Sequence, residues 1–354
     1  MSKQFNWADC RSVAERSGCT FCFFIGGRGI GKTYGILKGQ RQAMLDGEDC
    51  ELMYLRLTNA EIAAAGTEKE NPYRKINFKE HIQVELEPIP KTNAYLIKDK
   101  TGESELVLGE ARSIASFHNL RGADFYSIKE IYVDEFIPAE SVRLTPEIKL
   151  AGYLFMQAYE TINRNRELEG EPPVKVIMTA NAFSLDSSIL AEFGLIDVIE
   201  QMQRTGQRRF TDREASIYIE LLESADIAEA KKETALYKAT RRNAKIANVN
   251  ISNKFTDAAL SLTKKNVKLI EYTPVFSFND ELTLYAHKSS GAWHFVGRGD
   301  QNAKEIYTRD ARGKLELKWG AVIRMAMQDR AFTCDSAATY YLTARVFDKT
   351  LKVY

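Results

Sequence analysis

A glycine-rich stretch near the start of the chain, GGRGIGKT, has the spacing of a phosphate-binding loop. Glycines allow backbone N–H groups to converge on phosphate oxygens, because no Cβ stands in the way. A helix that opens at Lys32 would add its positive end. The loop therefore predicts a nucleoside triphosphate site, with Lys32 on the phosphates and Thr33 on Mg²⁺. The residues expected to bind the nucleotide are Gly26, Gly27, Arg28, Gly29, Ile30, Gly31, Lys32 and Thr33.

Two adjacent carboxylates end an apolar run further along the chain, in the string IYVDEF. Asp134, at the end of the predicted strand, is placed to hold the Mg²⁺ of the triphosphate. Glu135 beside it can polarise an attacking water, which an ATP hydrolase needs and a kinase must exclude. The alternative is a solvated acidic turn. With the loop upstream, the pair predicts an ATPase.

Two polar strings follow the acids. MTAN ends the next apolar run at Asn181, whose amide can contact the γ-phosphate or the attacking water, although asparagine also suits a plain turn. NRNRE closes a predicted helix and carries Arg164 and Arg166. These arginines either complement the helix dipole or, in a ring of subunits, reach a neighbour's γ-phosphate as an arginine finger.

Elements that could position these residues alternate along the first part of the chain. Strands alternating with helices indicate an α/β fold with a mainly parallel sheet. The main predicted strands are Phe21–Ile25, Glu51–Leu57, Ile128–Phe136 and Val174–Asn181, with shorter ones in IQVEL, AYLIKD and SELVLGEARS. The predicted helices are Lys32–Leu45 and Pro146–Arg166.

The composition changes after about Glu223, where a charged helical string is followed by β-leaning segments at hairpin-like spacing. We expect three parts. They are an ATPase domain at 1–223, a helical linker at 224–262 and a small α+β domain at 263–354. The last is expected to contain strands in TPVFSFN, LTLYAHKS and AWHFVGRG and a helix near AVIRMAMQD.

Overall composition limits the class of protein. The chain has 354 residues, a net charge of +1, and 44% hydrophobic and 27% charged residues, as in globular proteins. It shows no long apolar run and no secretory signal, so we expect a cytosolic protein. Its five cysteines do not suggest a disulfide framework, and Cys19 and Cys22 are expected to be buried.

The motifs GGRGIGKT, IYVDEF, INRNRE and MTAN, in this order, resemble the genome-packaging ATPases of the small protein-primed short-tailed phages (the picovirus group). These are ring-forming ASCE motors related to FtsK/HerA translocases and large terminases. The resemblance implies a RecA-like ASCE P-loop domain that uses ATP and Mg²⁺. It also implies a role for each matching residue: Asp134 as the metal-shell acid, Glu135 as the catalytic glutamate, Asn181 as the sensor, Arg164 or else Arg166 as the trans-acting finger, and Arg28 and Arg56 beside the nucleotide.

The resemblance further implies a degenerate RNase H-like C-terminal domain that handles nucleic acid without cutting it. The candidate first strand, PVFSFN, lacks the central aspartate of an active nuclease, and Asp280 and Glu281 fall in the turn after it. A looser match, FHNLRGADF, is similar to a string beside the nucleotide site of large terminases. Candidate DNA contacts are Lys69, Arg74, Lys75, Arg298 and Lys304.

The function implied is ATP-driven packaging of double-stranded phage DNA into a procapsid by a homo-oligomeric, pentameric ring. The implied partners are DNA, further copies of the chain and the phage portal or procapsid, with or without a structural RNA, and no membrane. The implied location is the host cytoplasm, with transient docking on the procapsid. The alternatives are a cellular FtsK/HerA-like translocase or helicase, and a nucleotide-gated switch with little turnover.

Overall fold

The computed structural model describes residues 7–119, 124–138, 145–181, 184–223, 227, 229–230, 233–240 and 261–348. The chain divides into two compact units. The first comprises residues 1–192 and 205–256, and the second residues 193–204 and 257–354. Most of the predicted linker at 224–262, and residues 120–123 of the string FHNLRGADF, lie outside the described residues.

The first unit is built on a nine-stranded sheet with the order β3-β4-β5-β2-β6-β7-β1-β9-β8. Strands β5, β2, β6, β7, β1 and β9 run parallel, whereas β3 and β4 at one edge and β8 at the other pair antiparallel. The strands are β1 Phe21–Gly26, β2 Glu51–Arg56, β3 Val84–Pro88, β4 Tyr95–Asp99, β5 Leu106–Ser113, β6 Ile128–Asp134, β7 Lys175–Ala180, β8 Arg209–Asp212 and β9 Ile217–Leu222.

Several helices of the first unit begin at residues whose chemistry favours a helix start. Helix α2 (Lys32–Leu45) begins directly after Gly31. Gly31 has a φ of +92°, which glycine adopts without strain. Thr58 and Glu61 form a capping box at the start of α3, and Thr145 caps α5. The helices are α1 Cys10–Ser17, α2 Lys32–Leu45, α3 Asn59–Ala65, α4 Arg74–Glu80, α5 Pro146–Asn163 and α6 Ser188–Glu192.

The core of this unit lies between the sheet and its helices. The central strands β1, β2, β6 and β7 are buried along most of their length, as expected for parallel strands covered on both faces. Cys19 and Cys22 are both buried in this core, which confirms their prediction as buried thiols. Burial raises the pKa of the Cys22 thiol and keeps it protonated.

The second unit contains a five-stranded sheet with the order β13-β10-β11-β12-β14. Strands β10, β11 and β12 form an antiparallel meander, while β13 and β14 add parallel strands at its two edges. The strands are β10 Tyr272–Phe278, β11 Leu282–His287, β12 Trp293–Val296, β13 Glu305–Tyr307 and β14 Phe332–Cys334. The helices that the two units add after α6 are α7 Ile196–Thr205, α8 Ala235–Thr240, α9 Arg312–Leu315, α10 Ala321–Gln328 and α11 Ala337–Val346.

The predicted fold class is confirmed: a large, mainly parallel sheet with helices, together with a smaller α+β unit. Helix α7 belongs with the second unit, where Asp197 accepts a hydrogen bond from the backbone of Ala338 at 3.2 Å, although its sequence precedes the predicted boundary at 223. The RNase H-like character of the second unit stays a prediction. Among the described residues, no helix is long and apolar enough to cross a membrane.

Among the main predicted elements, two ends were wrong by more than one residue. The strand predicted to reach Phe136 ends at Asp134, because Glu135 turns away with a φ of +56°. The helix predicted to reach Arg166 ends at Asn163, because Arg164 adopts a φ of +45°, which is incompatible with a right-handed helix. The antiparallel β8–β9 pair was not predicted from the sequence at all.

Candidate nucleotide-binding site

The glycine-rich loop joins the carboxyl end of β1 to the start of α2. Gly29 and Gly31 both have positive φ, at +74° and +92°, so the loop uses backbone conformations that other residues adopt only with strain. The Lys32 ammonium points back into the loop and donates to the carbonyl oxygens of Gly26 at 3.0 Å and Gly27 at 2.9 Å. A lysine ammonium beside a glycine-rich turn at the start of a helix is an arrangement that binds phosphate.

Asp134 lies at the centre of a buried hydroxyl network. Its Oδ1 accepts hydrogen bonds from Tyr132 at 2.8 Å, from Thr179 at 3.0 Å and from Thr33 at 3.2 Å. Tyr54 donates to Oδ2 at 3.2 Å. The carboxylate is only 7% exposed, and these donors fix its orientation toward the first turn of α2.

Sequence reasoning missed the two tyrosines and the threonine of this network. Alternation along β6 places Tyr132 and Asp134 on one face of the sheet, and strand register pairs Tyr132 with Tyr54 and Asp134 with Thr179. Burial raises the pKa of both tyrosines well above the usual value, and the Asp134 carboxylate raises it further. Both hydroxyls therefore remain protonated and can donate.

Glu135 follows Asp134 and is held by two side chains from neighbouring strands. Arg56, at the end of β2, donates to its Oε2 at 2.9 Å, and Asn181, just after β7, donates to its Oε1 at 3.3 Å. Arg56 also contacts Asp134 at 3.4 Å and Glu61 at 3.2 Å. Burial lowers the pKa of the Arg56 guanidinium, but these carboxylates outweigh burial and raise it above its ordinary value.

Asn181 connects the glutamate to the loop. Its Nδ2 bonds Glu135, while its Oδ1 accepts a hydrogen bond from the Lys32 ammonium at 3.2 Å. Its amide thus bridges the residue expected to bind phosphate and the residue expected to activate water. Such a bridge would sense a change at either end.

A cleft of about 360 Å³ joins these groups. Strands β2, β6, β7 and β1 are parallel neighbours, so their carboxyl ends meet at one edge of the sheet and bring the predicted site residues together. Residues 28–34 of the loop, the two acids, Thr179, Ala180 and Asn181 line the cleft, and so do Pro72 and Lys75 from the segment before and within α4.

The donor set suits a magnesium ion bound together with phosphates. Mg²⁺ in such sites takes one or two protein oxygens and completes its shell with phosphate oxygens and waters. Thr33 Oγ1 and Asp134 Oδ1 lie 3.2 Å apart and offer these two oxygens. Over the described parts of the chain, no group of three or more His, Cys, Asp or Glu residues could hold a metal.

Arg164 lies at the opposite edge of the sheet from this cleft. Because β6 and β7 are parallel, α5 must return from the carboxyl end of β6 to the amino end of β7. Asn163 Oδ1 accepts a hydrogen bond from the backbone of Val174 at 2.9 Å, immediately before β7. The length of β7 separates the two edges by about 17 Å. Arg164 is exposed there.

Arg166 differs from Arg164 although it is only two residues away. It is 3% exposed, and its guanidinium donates to the backbone oxygens of Phe125 at 3.4 Å, Ile128 at 2.9 Å and Tyr126. The guanidinium carbon of Arg166 also lies 4.9 Å from the centre of the Tyr126 ring. Arg166 therefore ties the start of β6 to the end of α5 and is a structural residue.

The sequence also matches a known protein family. Residues 13–316 match the family model described as the podovirus DNA encapsidation protein (Gp16). The chain belongs to this family.

Two solved structures are similar to the chain over nearly all of its length. One is described as the Phi-28 gp11 DNA packaging motor, with 15% identity and a TM-score of 0.63 over 98% of this chain and 99% of that one. The other is described as the bacteriophage Phi-29 viral genome packaging motor assembly, with 17% identity and a TM-score of 0.58 over 97% and 99%. At this identity both show a shared fold. No curated protein matches the sequence.

The candidate DNA contacts are divided between the two units. In the first unit, Lys69 is exposed between α3 and α4, Arg74 donates to the Lys69 carbonyl oxygen at 3.2 Å, and Lys75 lines the nucleotide cleft. In the second unit, Arg298 and Lys304 are exposed after β12 and before β13. A role in DNA binding stays a prediction for all five.

Proposed function

We propose that this member of the podovirus DNA encapsidation family is the ATPase of a DNA-packaging motor. The observation that carries the proposal is the convergence of Lys32, Thr33, Asp134, Glu135 and Asn181 on one cleft at the carboxyl edge of a parallel sheet. A phosphate cradle alone binds a nucleotide, whereas a cradle beside two differently held carboxylates can also hydrolyse it.

The first half of the mechanism is the binding of ATP. The loop amides and the Lys32 ammonium take the phosphate oxygens, and Lys32 exchanges its carbonyl partners for them. Thr33 and Asp134 would hold Mg²⁺, which would supply positive charge to stabilise the phosphates. Tyr132 and Thr179 donate to the Asp134 carboxylate and keep it oriented.

The second half is the activation of water. Glu135 accepts the proton of the water that attacks the γ-phosphate, and Asn181 holds one carboxylate oxygen in place. Arg56 holds the other oxygen, so the carboxylate becomes available as a base only when that ion pair loosens. The strained φ of Glu135 fits a residue whose position is set by function.

The motor is proposed to be a ring, because one chain cannot supply its own finger. Arg164 lies at the amino edge of the sheet, and the length of β7 separates that edge by about 17 Å from the edge that holds the cleft. It is exposed and points from a strained turn, whereas Arg166 is buried. In a ring of copies packed head to tail, the amino edge of one subunit faces the cleft of the next, and Arg164 stabilises the transition state there.

The proposed substrate of the motor is double-stranded DNA, which the motor drives into a procapsid in the host cytoplasm. The proposed docking partner is the portal. Family membership supports packaging over a cellular FtsK/HerA-like translocase. The polarising glutamate and its two holding side chains support turnover over a switch that only binds ATP. DNA contacts would engage phosphates without reading sequence, so binding would weaken as salt rises.

The direct test is hydrolysis of Mg·ATP by the purified full-length chain, with and without double-stranded DNA. We expect DNA-stimulated phosphate release that Lys32→Ala abolishes. Lys91→Ala, which removes an exposed lysine from the β3–β4 turn, serves as the control and should retain activity. Tight ATP binding by the wild type with no turnover under any condition would support the switch instead.

A second assay addresses the second unit. Incubation of double-stranded DNA with Mg²⁺ or Mn²⁺ should leave it intact, as expected of a nucleic-acid-handling domain without nuclease activity. Efficient cutting that Asp280→Ala or Glu281→Ala abolishes would overturn this part of the proposal.

A further inference from the structure

One wall of the nucleotide cleft comes from outside the loop and the acids. Pro72 and Lys75 line it, and Lys75 lies in the first turn of α4. Sequence reasoning placed Lys75 among the DNA contacts. Its position beside the phosphate-binding loop suggests a different ligand.

Helix α4 is anchored against α2, the helix that carries Lys32. Glu80 accepts a hydrogen bond from the Tyr34 hydroxyl and forms an ion pair with Lys38 at 2.7 Å. Lys79 lies 5.5 Å from the centre of the Tyr34 ring. These contacts hold α4 at a fixed distance from the loop, because Tyr34 directly follows Thr33.

The buried side of α4 determines which way Lys75 faces. Tyr73 and Ile76 are fully buried in the core of the unit. Lys75 and Lys79 are one turn apart and share the other face, where Lys79 covers Tyr34. Lys75 is therefore presented to the cleft by a helix that the core and α2 both fix.

The Lys75 ammonium is available to bind an anion in the cleft. Among the described residues, no hydrogen bond or ion pair involves its side chain. The two carboxylates of the cleft already have Arg56 as their counter-ion. A triphosphate carries more negative charge than Lys32 and one magnesium ion neutralise, and cations that cradle phosphates are the usual supplement.

We propose that Lys75 binds the phosphate chain of the nucleotide within its own subunit. The inference rests on the proposed function, since it assigns one more substrate contact to the same site. It moves Lys75 from the predicted DNA surface to the nucleotide cleft, and makes α4 a fixed wall of the nucleotide site.

The test measures nucleotide affinity by titration calorimetry of the full-length chain with Mg·ATP, Mg·ADP and AMP. We expect Lys75→Ala to weaken ATP binding by about tenfold, ADP binding by less and AMP binding hardly at all, because the lost contact is to a charged phosphate group. Lys75→Arg should restore most of the affinity, and Lys75→Glu should weaken it further. Lys91→Ala, which removes an exposed lysine from the β3–β4 turn, is the matched control and should have no effect.

DNA binding in the same variants separates the two assignments. Lys75→Ala should bind double-stranded DNA as the wild type does. Unchanged ATP affinity in Lys75→Ala, with or without weaker DNA binding, would overturn the inference. Lys32→Ala identifies which claim has failed: if it abolishes ATP binding while Lys75→Ala has no effect, only the inference is wrong. If Lys32→Ala binds ATP normally, the proposed function itself is wrong.

Discussion

Each unit of this protein has an Asp-Glu pair at the end of a buried strand, and the two pairs differ in everything except sequence. Asp134 and Glu135 follow β6 in the first unit, and Asp280 and Glu281 follow β10 in the second, after Asn279. Each pair includes a residue with positive φ, +56° at Glu135 and +53° at Asp280. The two pairs are thus alike in sequence, but the positive φ falls on the glutamate of one pair and on the aspartate of the other.

The neighbouring strands make the difference. Beside β6, parallel strands end at the same edge and supply Arg56, Thr179 and Asn181. After β10 the chain turns back into antiparallel β11, so the pair sits in a hairpin turn. There Asp280 accepts from Gln301 at 3.0 Å, and Glu281 pairs with Arg309 at 2.8 Å, both near the surface. A pair of acids becomes a site only where the topology brings other functional groups to it.

The largest effect that separates the two pairs concerns the glutamates. Glu135→Gln removes the base and should lower the rate of DNA-stimulated ATP hydrolysis by about 10²- to 10⁴-fold, the usual contribution of general base catalysis. The matched change Glu281→Gln removes an exposed ion pair and should leave the rate unchanged. Steady-state phosphate release measures both. Equal losses in the two variants would contradict the comparison.

A smaller effect is expected for the groups that orient the carboxylates. Tyr132→Phe deletes the hydroxyl that donates to Asp134 and should raise the Mg²⁺ concentration for half-maximal ATPase by about tenfold, as for other partners of metal ligands. Excess Mg²⁺ should recover the rate. Tyr285→Phe, which deletes a 2.6 Å hydrogen bond to Asp300 in the second unit, is the control and should leave the Mg²⁺ dependence unchanged.

A rate loss in Tyr132→Phe that no Mg²⁺ concentration corrects would mean that the tyrosine supports the fold and does not orient the metal ligand. Thermal unfolding of the same variant identifies that case. The expected result is a folded protein with a shifted Mg²⁺ dependence.

The smallest effect is expected in the hairpin turn of the second unit. Asp280→Asn keeps the shape of the side chain, and asparagine tolerates positive φ at least as well as aspartate. The free energy of unfolding should change by less than about 0.5 kcal/mol, as at other exposed positions. Denaturant titration measures the change. A loss above about 2 kcal/mol would show that this carboxylate has a role that the exposed turn does not suggest.

Much of the first unit could be predicted from the sequence because its signals are local. The loop glycines, the apolar run before Asp134 and the run before Asn181 each mark a strand end, and parallel strands must meet at one edge. The structure brings residues 28–34 of the loop, both acids and Asn181 to one cleft. The edges of the sheet carried weaker signals: β8 has four residues of mixed polarity and was not foreseen.

The groups around the site depend on register and on packing between distant elements, which the sequence does not state. Tyr54 reaches Asp134 only because β2 and β6 pair in one particular register. Lys75 reaches the cleft only because α4 packs on α2. Arg164 and Arg166 look equivalent in the string NRNRE, and only burial distinguishes the structural arginine from the exposed one.

The central claim is that Glu135 of one subunit and Arg164 of another form a single active site. The decisive measurement mixes two inactive variants, Glu135→Gln and Arg164→Ala, and follows ATP hydrolysis in the presence of DNA. Each alone should be reduced by about 10²-fold or more. In mixed rings, about a quarter of the interfaces join an intact glutamate to an intact arginine, so activity should rise well above that of either variant. A mixture no more active than its two components would contradict the account.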